Sequence, residues 1–214
     1  MTAPTEDFVA RFKRVAVVPV VTIEDASAVI PLTRALVAGG IDVIEVTLRT
    51  PAAIEAIRRV AAEVPEAMVG AGTVLTEAQM RESISAGAQF IVSPGLTPLL
   101  AEAGLAAPVP LLAGIATASE AMIAAEQGLS FLKFFPAEAI GGAAALKALA
   151  APLPHIRFCP TGGIDAVKAA AYLALPNVVC VGGSWMASAD TILAGDWSTV
   201  TKLASEAASI APRR

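Results

Sequence analysis

The chain repeats one unit along its length, a short continuous apolar run followed by a segment with a helical pattern. The starts of the apolar runs recur every ~20–26 residues, which is the spacing of strand–helix units joined by short loops. Continuous apolar strands that alternate with helices indicate a parallel sheet whose outer face is covered. The predicted strands span residues 15–21, 41–47, 67–72, 89–93, 110–115, 130–136, 156–160 and 177–181.

Eight such units predict a (β/α)8 barrel of the TIM type, an α/β fold built as one domain over residues 1–214. A segment with helical character at 5–14 precedes the first strand, so a short N-terminal helix is expected. The alternative is a doubly wound open sheet. That fold usually carries a Gly-x-Gly-x-x-Gly fingerprint after its first strand, and here Val20-Val21-Thr22-Ile23 follows instead. The barrel is therefore the favoured architecture.

Composition argues against several classes of protein. Although 56% of the residues are hydrophobic, no uninterrupted apolar run reaches the ~18 residues of a membrane span, and Glu6 and Asp7 precede the first apolar segment, unlike in a signal peptide. The net charge is −4 without a basic block, which argues against nucleic acid as a partner. Cys159 and Cys180 do not suggest a disulfide framework, and His155 is the only histidine. We therefore expect a cytoplasmic protein without a metal, a cofactor or a membrane partner.

The sixth apolar run has a lysine at its centre. In a strand, Phe131, Lys133 and Phe135 project to the same face. An ammonium group among aromatic rings is poorly solvated, and desolvation favours the neutral amine, which attacks carbonyl carbons and forms Schiff bases. Two other interpretations stay open at this point. The lysine can extend to water at the end of the strand, or it can pair with a carboxylate.

Polar residues gather where the predicted strands end. In a barrel the carboxyl ends of all strands meet at one face, and catalytic residues lie there. Val43, Glu45 and Thr47 share one face of the second strand. If that face is the barrel interior, Glu45 and Lys133 reach one cavity, although Glu45 taken alone can be an ordinary ion-pair partner. The strand-end residues are Glu45, Thr47, Arg49, Gly72, Thr73, Ser93, Pro94, Gly95, Lys133, Thr161, Gly162, Gly163, Gly182, Gly183 and Ser184.

Two glycine motifs follow the last two predicted strands. Glycine lets backbone N–H groups approach an anion closely, and helix N-termini favour negative charge. Barrels often bind phosphate with the loops after strands seven and eight, where both motifs fall. They are therefore predicted to hold a phosphate, with a Cβ at Gly163 expected to crowd the bound anion. The alternative is that each motif is an ordinary turn. The predicted phosphate-binding residues are Thr161, Gly162, Gly163, Gly182, Gly183 and Ser184.

The chain resembles the family of 2-keto-3-deoxy-6-phosphogluconate (KDPG) and 4-hydroxy-2-oxoglutarate aldolases over nearly its whole length. Two blocks carry the resemblance: 40–49, Gly-Ile-Asp-Val-Ile-Glu-Val-Thr-Leu-Arg, and 128–137, Gly-Leu-Ser-Phe-Leu-Lys-Phe-Phe-Pro-Ala. The first resembles the family's general-base motif and the second its Schiff-base motif. Segments 70–74, 93–98, 160–164 and 182–185 are also similar. Ala113 departs from the pattern, because proline is expected there.

The resemblance implies a class I aldolase that needs no metal, on a (β/α)8 barrel that forms a homotrimer. Lys133 is then the Schiff-base residue, and Glu45 moves protons. Arg49 and Thr73 are expected to bind the pyruvate carboxylate of a phosphorylated keto-acid substrate, whose cleavage yields pyruvate and D-glyceraldehyde 3-phosphate. Thr161 resembles the type that accepts the gluconate epimer. The predicted substrate-binding set is completed by Pro94 and Phe135.

Other functions stay open beside this one. A phosphosugar isomerase on a similar barrel shares the phosphate loops but has no use for a buried Schiff-base lysine. A non-catalytic phosphosugar-binding protein keeps the glycines and tolerates the loss of Lys133. Within the aldolases, the alternative is a 4-hydroxy-2-oxoglutarate aldolase that also decarboxylates oxaloacetate through the same enamine.

Overall fold

Strands and helices alternate along the chain in a computed structural model, which describes residues 6–210 of the 214. The strands are short, parallel and almost entirely buried. They are β1 (Val17–Val21), β2 (Val43–Thr47), β3 (Met68–Gly72), β4 (Ile91–Val92), β5 (Leu111–Leu112), β6 (Gly114–Ile115), β7 (Phe131–Phe134), β8 (Arg157–Pro160) and β9 (Val181–Gly183).

Helices follow the strands and cover them. They are α1 (Glu6–Val15), α2 (Val29–Ala38), α3 (Ala53–Glu63), α4 (Glu77–Ser85), α5 (Pro98–Ala106), α6 (Ala118–Glu126), α7 (Gly142–Leu149), α8 (Ala166–Leu173), α9 (Ala189–Leu193) and α10 (Trp197–Ala208). Short 3-10 helices occur at Ala26–Ala28 and Glu138–Ile140. Between residues 6 and 210, no helix has the length and apolar character needed to cross a bilayer.

The strands pair in parallel in two groups. One sheet has the order β5-β4-β3-β2-β1-β9, and the other has the order β6-β7-β8. Only Ala113 separates β5 from β6, and isolated parallel bridges join Phe158 to Val178 and Thr161 to Gly182. The predicted α/β fold with a parallel, helix-covered sheet is confirmed, and its curled form is consistent with a TIM-barrel-like architecture.

The two faces of the sheet carry different clusters, as strand alternation requires. Val43 and Phe131 belong to a smaller buried cluster with Phe90 and Val92. Ile44, Val46, Leu132 and Phe134 belong to the larger cluster that packs under the helices. Glu45 and Lys133 alternate with these outward residues, so both project to the face of the smaller cluster.

Helix α1 packs against that smaller cluster through Phe8 and Phe12. The Phe12 ring meets the Phe90 and Phe131 rings edge to face, with centroids 5.1 and 5.8 Å apart. On the polar side, Arg14 Nη2 lies 2.6 Å from the Asp42 carboxylate. The helix also has acidic residues in its first turn and basic residues in its last, which suits the helix dipole. The predicted N-terminal helix is present over its described residues, whereas Thr5 lies outside them.

Most strands are shorter than predicted, and the fifth predicted strand is divided into β5 and β6. The differences at the first and the last strand have a clear structural cause. The first strand begins at Val17 because α1 continues through Val15, and Ala16 then adopts a positive φ of 57° that breaks the chain direction. The eighth strand was expected over 177–181, with Gly182 and Gly183 in a turn. Both glycines instead lie within β9, where they pair in parallel with β1. A pairing partner outside the local sequence therefore decides the end of this strand.

Candidate active site

Lys133 lies on β7 and is 5% exposed. Its Nζ is 3.4 Å from Oε1 of Glu45, which is 3% exposed and comes from β2. The same nitrogen lies 5.1 Å from the centroid of the Phe135 ring. Of the interpretations left open by the sequence, extension to water is wrong and pairing with a carboxylate is confirmed. A buried amine next to a proton acceptor can lose its proton without water.

Glu45 has room for its carboxylate because the neighbouring strand carries a glycine. Gly72 ends β3, and a Cβ built there would lie 2.2 Å from Glu45 Oε1. Any larger residue at this position therefore has to displace the carboxylate. The glycine is thus required by a close side-chain approach and not by a turn.

Arg49 and Thr73 meet in the loops after β2 and β3. Arg49 Nε donates to Thr73 Oγ1 at 3.3 Å, and no acceptor within residues 6–210 takes a bond from the terminal guanidinium nitrogens of Arg49. Thr73 holds a positive φ of 57°, which is costly for a residue that is not glycine. Backbone strain of this kind is concentrated at functional sites, and here it orients a hydroxyl toward a guanidinium with free donors.

An open cavity of about 570 Å³ lies at the carboxyl ends of the strands, next to this pair. Lys133, Glu45 and Thr73 do not line it themselves. Lys133 borders it through Phe135, whose ring contacts the ammonium group and also forms part of the wall. The predicted site residues in the wall are Arg49, Phe135, Thr161, Gly162, Gly163, Gly182, Gly183 and Ser184.

Three backbone N–H groups along this wall are free to bind an anion. Within residues 6–210, the N–H groups of Gly162, Gly163 and Ser184 donate to no protein acceptor. Gly162 and Gly163 have φ values of 107° and 77°, a left-handed geometry that glycine adopts without strain. Consecutive N–H groups in such a conformation form an anion-binding concavity.

The two glycines of β9 lie where neighbouring side chains pack closely against the backbone. A Cβ at Gly182 would lie 2.4 Å from Thr161 Oγ1, and a Cβ at Gly183 would lie 1.9 Å from the Trp185 ring. Close packing thus explains the glycine at both positions, so the turn interpretation of Gly182 and Gly183 is wrong. The expectation for Gly163 also needs correction, because its Cβ would lie 2.9 Å from Glu138 Cβ and Cγ. A side chain there meets Glu138 first.

Pro94, like Lys133, Glu45 and Thr73, is a predicted site residue outside the cavity wall. It follows β4 and does not line the cavity. Its carbonyl group instead lies against β6, since a Cβ at Gly114 would be 2.3 Å from the Pro94 oxygen. Pro94 therefore lies beside the strand that pairs with Lys133, because Gly114 is the register partner of that lysine.

Two buried thiols lie on the same side of the sheet as the lysine. Cys159 is the register partner of Lys133, and both Cys159 and Cys180 are free. Burial first, and then the hydrogen bond of its S–H group to Cys159, raises the pKa of the Cys180 thiol well above its ordinary value. A neutral thiol at this position adds no charge to the lysine–glutamate pair.

Sequence reasoning missed other residues that border the cavity. Thr22, which follows β1, lines the cavity and exchanges a 3.0 Å hydrogen bond with Thr47. Trp185 lines the cavity too and covers Gly183. Thr22 is a polar residue directly after a strand, as Thr73 is, so the same sequence pattern would have identified it as a site residue. Trp185 had no such signal, because its position depends on its packing against β9.

The fold and the cavity place the chain among α/β enzymes whose site lies at the carboxyl ends of parallel strands. The model of the family described as KDPG and KHG aldolase matches residues 9–203. The chain therefore belongs to the KDPG and KHG aldolase family, which confirms the resemblance seen in the motifs and makes it an aldolase, a carbon–carbon lyase.

Individual relatives agree with this assignment. The KHG/KDPG aldolase of Escherichia coli strain K12 is 53% identical over 191 residues, which cover 89% of this chain and 90% of the relative. A KDPG aldolase structure from Legionella pneumophila, with pyruvate captured at low pH as a covalent carbinolamine intermediate, has a TM-score of 0.91 and 44% identity, covering 95% of this chain and 97% of that one. The 2-keto-3-deoxy-6-phosphogluconate aldolase of Zymomonas mobilis ZM4 with 3-phosphoglycerate has a TM-score of 0.89 and 47% identity, covering 94% and 95%.

Proposed function

We propose that this chain is a class I aldolase that cleaves KDPG reversibly to pyruvate and D-glyceraldehyde 3-phosphate. The observation that carries the proposal is the buried pair of Lys133 Nζ and Glu45 Oε1, 3.4 Å apart beside an open cavity. An isomerase or a binding protein has no need for a buried amine next to a proton acceptor. The Legionella relative, in which pyruvate was captured as a carbinolamine, supports the same chemistry here.

Imine formation uses Lys133 as nucleophile and Glu45 as proton acceptor. The ammonium group passes a proton to the carboxylate, and the neutral amine attacks C2 of the keto acid to form a C–N bond. The carbonyl oxygen takes up a proton, which gives a carbinolamine. Glu45 then gives its proton to the carbinolamine hydroxyl, which leaves as water. A protonated imine now joins Lys133 to C2, and Glu45 is ionised again.

Carbon–carbon cleavage follows from the charge on the imine. The ionised Glu45 takes the proton from the C4 hydroxyl, the C3–C4 bond breaks, and its electron pair enters an enamine while the aldehyde leaves. Glu45 then returns its proton to C3, and water hydrolyses the imine to release pyruvate and the free amine. General acid–base help of this kind contributes about 10²–10⁴-fold to the rate.

The two ends of the substrate meet different parts of the site. Arg49 and Thr73 bind the pyruvate carboxylate, because the guanidinium keeps terminal donors free for a planar anion. Pro94 and Phe135 flank the reacting carbons. Thr161 lies between Lys133 and the phosphate end and accepts the gluconate epimer. The phosphate binds at Gly162, Gly163, Gly182, Gly183 and Ser184, of which Gly162, Gly163 and Ser184 have free N–H groups.

The chain acts as one domain on a closed (β/α)8 barrel. The bridges at Phe158–Val178 and Thr161–Gly182 support closure between β8 and β9, and the single residue Ala113 joins the two sheets on the other side. We propose a homotrimer in the cytoplasm that needs no cofactor. Large exposed apolar side chains support the trimer, since such groups are commonly covered by a partner. They include Leu75, Leu99, Met122, Ile123, Val167 and Leu193.

A second substrate has a specific basis. The Escherichia coli relative is a KHG/KDPG aldolase, so 4-hydroxy-2-oxoglutarate is the alternative substrate here. It lacks a phosphate and therefore gains no binding energy from the free N–H groups of Gly162, Gly163 and Ser184. Oxaloacetate decarboxylation through the same enamine is the side activity that accompanies this alternative.

The experiment compares KDPG with 2-keto-3-deoxygluconate and with 4-hydroxy-2-oxoglutarate on the same preparation. Remote binding energy at the phosphate supports the chemical step, so both kcat and KM should favour KDPG. We expect at least ~100-fold higher kcat/KM for KDPG, which corresponds to about 2.7 kcal/mol of transition-state stabilisation. Equal efficiency on the phosphorylated and the unphosphorylated gluconate would overturn the assignment to KDPG, and preference for 4-hydroxy-2-oxoglutarate would establish the alternative.

A further inference from the structure

A polar cluster adjoins the loop of Thr161, Gly162 and Gly163, here called the phosphate loop, since a Cβ at Gly163 would lie 2.9 Å from Glu138. None of its three side chains lines the cavity. Glu138 begins the 3-10 helix that follows β7, five residues after Lys133. Its Oε1 accepts a 2.5 Å hydrogen bond from Tyr172 Oη, and its Oε2 lies 2.9 Å from Lys168 Nζ. Lys168 and Tyr172 both come from α8, the helix that follows Gly162 and Gly163 in the chain. The three side chains therefore connect the segment after the catalytic strand to the helix beyond the phosphate loop.

Three hydrogen bonds from this region hold the backbone of the phosphate loop. Lys168 Nζ donates to the carbonyl of Gly163 at 2.9 Å. Ala137 N donates to Thr161 O at 2.8 Å, and Glu138 N donates to Gly162 O at 3.1 Å. Two consecutive carbonyl groups of the loop thus accept bonds from the segment that follows Lys133, and the third accepts a bond from Lys168 of α8. These bonds use the carbonyl groups of the loop, whereas the N–H groups of Gly162 and Gly163 donate to no acceptor within residues 6–210.

Electrostatics within the cluster favour its charged form. The hydrogen bond from Tyr172, followed by that from Lys168, lowers the pKa of the Glu138 carboxyl. The hydrogen bond to Glu138 raises the pKa of Lys168. Tyr172 is 1% exposed, so its hydroxyl has only Glu138 as a partner among residues 6–210. The remaining ion pair is partly solvated, with side-chain exposures of 33% for Glu138 and 45% for Lys168. Its contribution therefore comes from geometry more than from charge.

We propose that Glu138, acting through Lys168 and Tyr172, is a positioning residue that fixes the distance between the phosphate loop and Lys133. It does not touch the substrate. Its carboxylate holds Tyr172 and Lys168, and Lys168 in turn donates to the Gly163 carbonyl. This arrangement presets the free N–H groups for the phosphate and so lowers the cost of ordering them on binding. This inference rests on the proposed function, since it assigns the phosphate end of the substrate to the same loop.

The test separates phosphate binding from imine chemistry. We replace Lys168 with Met, which keeps the stem and removes the donor to Gly163 O and Glu138, and we replace Tyr172 with Phe, which removes one hydroxyl from a buried ring. For Lys168→Met, KM for KDPG should rise about tenfold and the inhibition constant of inorganic phosphate should rise with it. The rate at which borohydride traps the pyruvate imine should stay within about twofold, because pyruvate lacks a phosphate.

Conservative and remote variants serve as controls. Lys168→Arg keeps a donor and should restore most of the phosphate affinity. Glu77→Ala removes an exposed ion pair with Arg81 on α4, far along the chain from the loop, and should change neither measurement. Tyr172→Phe should raise KM in the same direction by a smaller factor.

The outcomes distinguish the two proposals. If the parent protein traps no pyruvate or does not cleave KDPG, the proposed function fails. If the parent favours phosphorylated substrate but Lys168→Met and Tyr172→Phe leave its KM and phosphate inhibition unchanged, only the positioning role is wrong. An equal loss of pyruvate trapping and of phosphate affinity would mean that the cluster is merely structural, which also overturns the inference.

Discussion

The carboxylate of Glu45 lies directly over the backbone of Gly72, where a Cβ would be 2.2 Å from Oε1. The conformation of the Glu45 carboxylate, the proposed general acid–base group, thus depends on a residue of the neighbouring strand that contributes no side chain. This contact also orients the carboxylate toward Lys133 Nζ, 3.4 Å away.

Replacement of Gly72 with Ala is expected to displace Glu45. Turnover should fall about 10²-fold, because the carboxylate no longer reaches the protons that it moves. Gly95→Ala is the matched control, since a Cβ at Gly95 meets nothing within 4 Å. Steady-state kinetics and circular dichroism on both variants check this. A Gly72→Ala protein with the parent's kcat would show that the position of Glu45 is not critical.

Replacement of Glu45 with Gln keeps the size and hydrogen-bonding groups of the side chain and removes the base. Turnover should drop by about 10²-fold or more, while the imine with pyruvate still forms at a slower rate. Rapid-quench kinetics with and without borohydride measure the two steps separately. Glu77→Gln, on the exposed face of α4, is the control. Near-parental turnover of Glu45→Gln would assign the proton transfer to another group.

Tyr172 is the only tyrosine in the chain, so its ionisation can be followed by near-ultraviolet absorbance. Burial first, and then the hydrogen bond to Glu138, raise its pKa above the ordinary value of 10.0. A raised pKa stabilises the fold fully below the unfolded pKa, and this contribution is lost as the pH rises through the folded pKa.

The folded protein should therefore show little tyrosinate at pH about 10, where an unperturbed tyrosine is half ionised, and denaturant should release the signal. Glu138→Ala should bring the midpoint closer to the ordinary value. Half ionisation of the native protein near pH 10 would mean that the hydroxyl is open to water.

The assembly prediction concerns the exposed apolar side chains. Leu99 and Leu193 are 77% and 90% exposed in the single chain, which is costly unless a partner covers them. Sedimentation velocity at micromolar concentration should give the mass of a trimer of 21.7 kDa chains. A monomer throughout the concentration series would contradict the proposed homotrimer.

Much of the architecture was predictable because its signal is local. Strand alternation placed Glu45 on the same face as Val43 and Lys133 on the same face as Phe131, and the strand-end rule pointed to Arg49 and to the glycines predicted to bind phosphate. The remaining features depend on contacts between distant segments. Gly182 and Gly183 look like a turn in the sequence, and only the packing of Thr161 and Trp185 against them explains why they are glycines.

The positioning cluster was missed for a related reason. Glu138 and Lys168 look like solvated charges in a loop and on a helix, which is the common fate of such residues. Their pairing across thirty positions follows from the way α8 packs against the segment after β7. The positive φ of Ala16 was likewise not predictable from the sequence, because the connection between α1 and β1 imposes that angle.

The central claim is that Lys133 forms the imine, and borohydride reduction in the presence of pyruvate tests it most directly. Peptide mass mapping should show one pyruvate-derived adduct on Lys133, and activity should be lost in proportion to this labelling. In a separate measurement, chelators should leave the activity of the unlabelled enzyme unchanged. Lys147 on α7 and Lys168 on α8 are the internal controls, and both should stay unmodified. An adduct on either of those lysines, an absence of any adduct, or inactivation by a chelator would contradict the account.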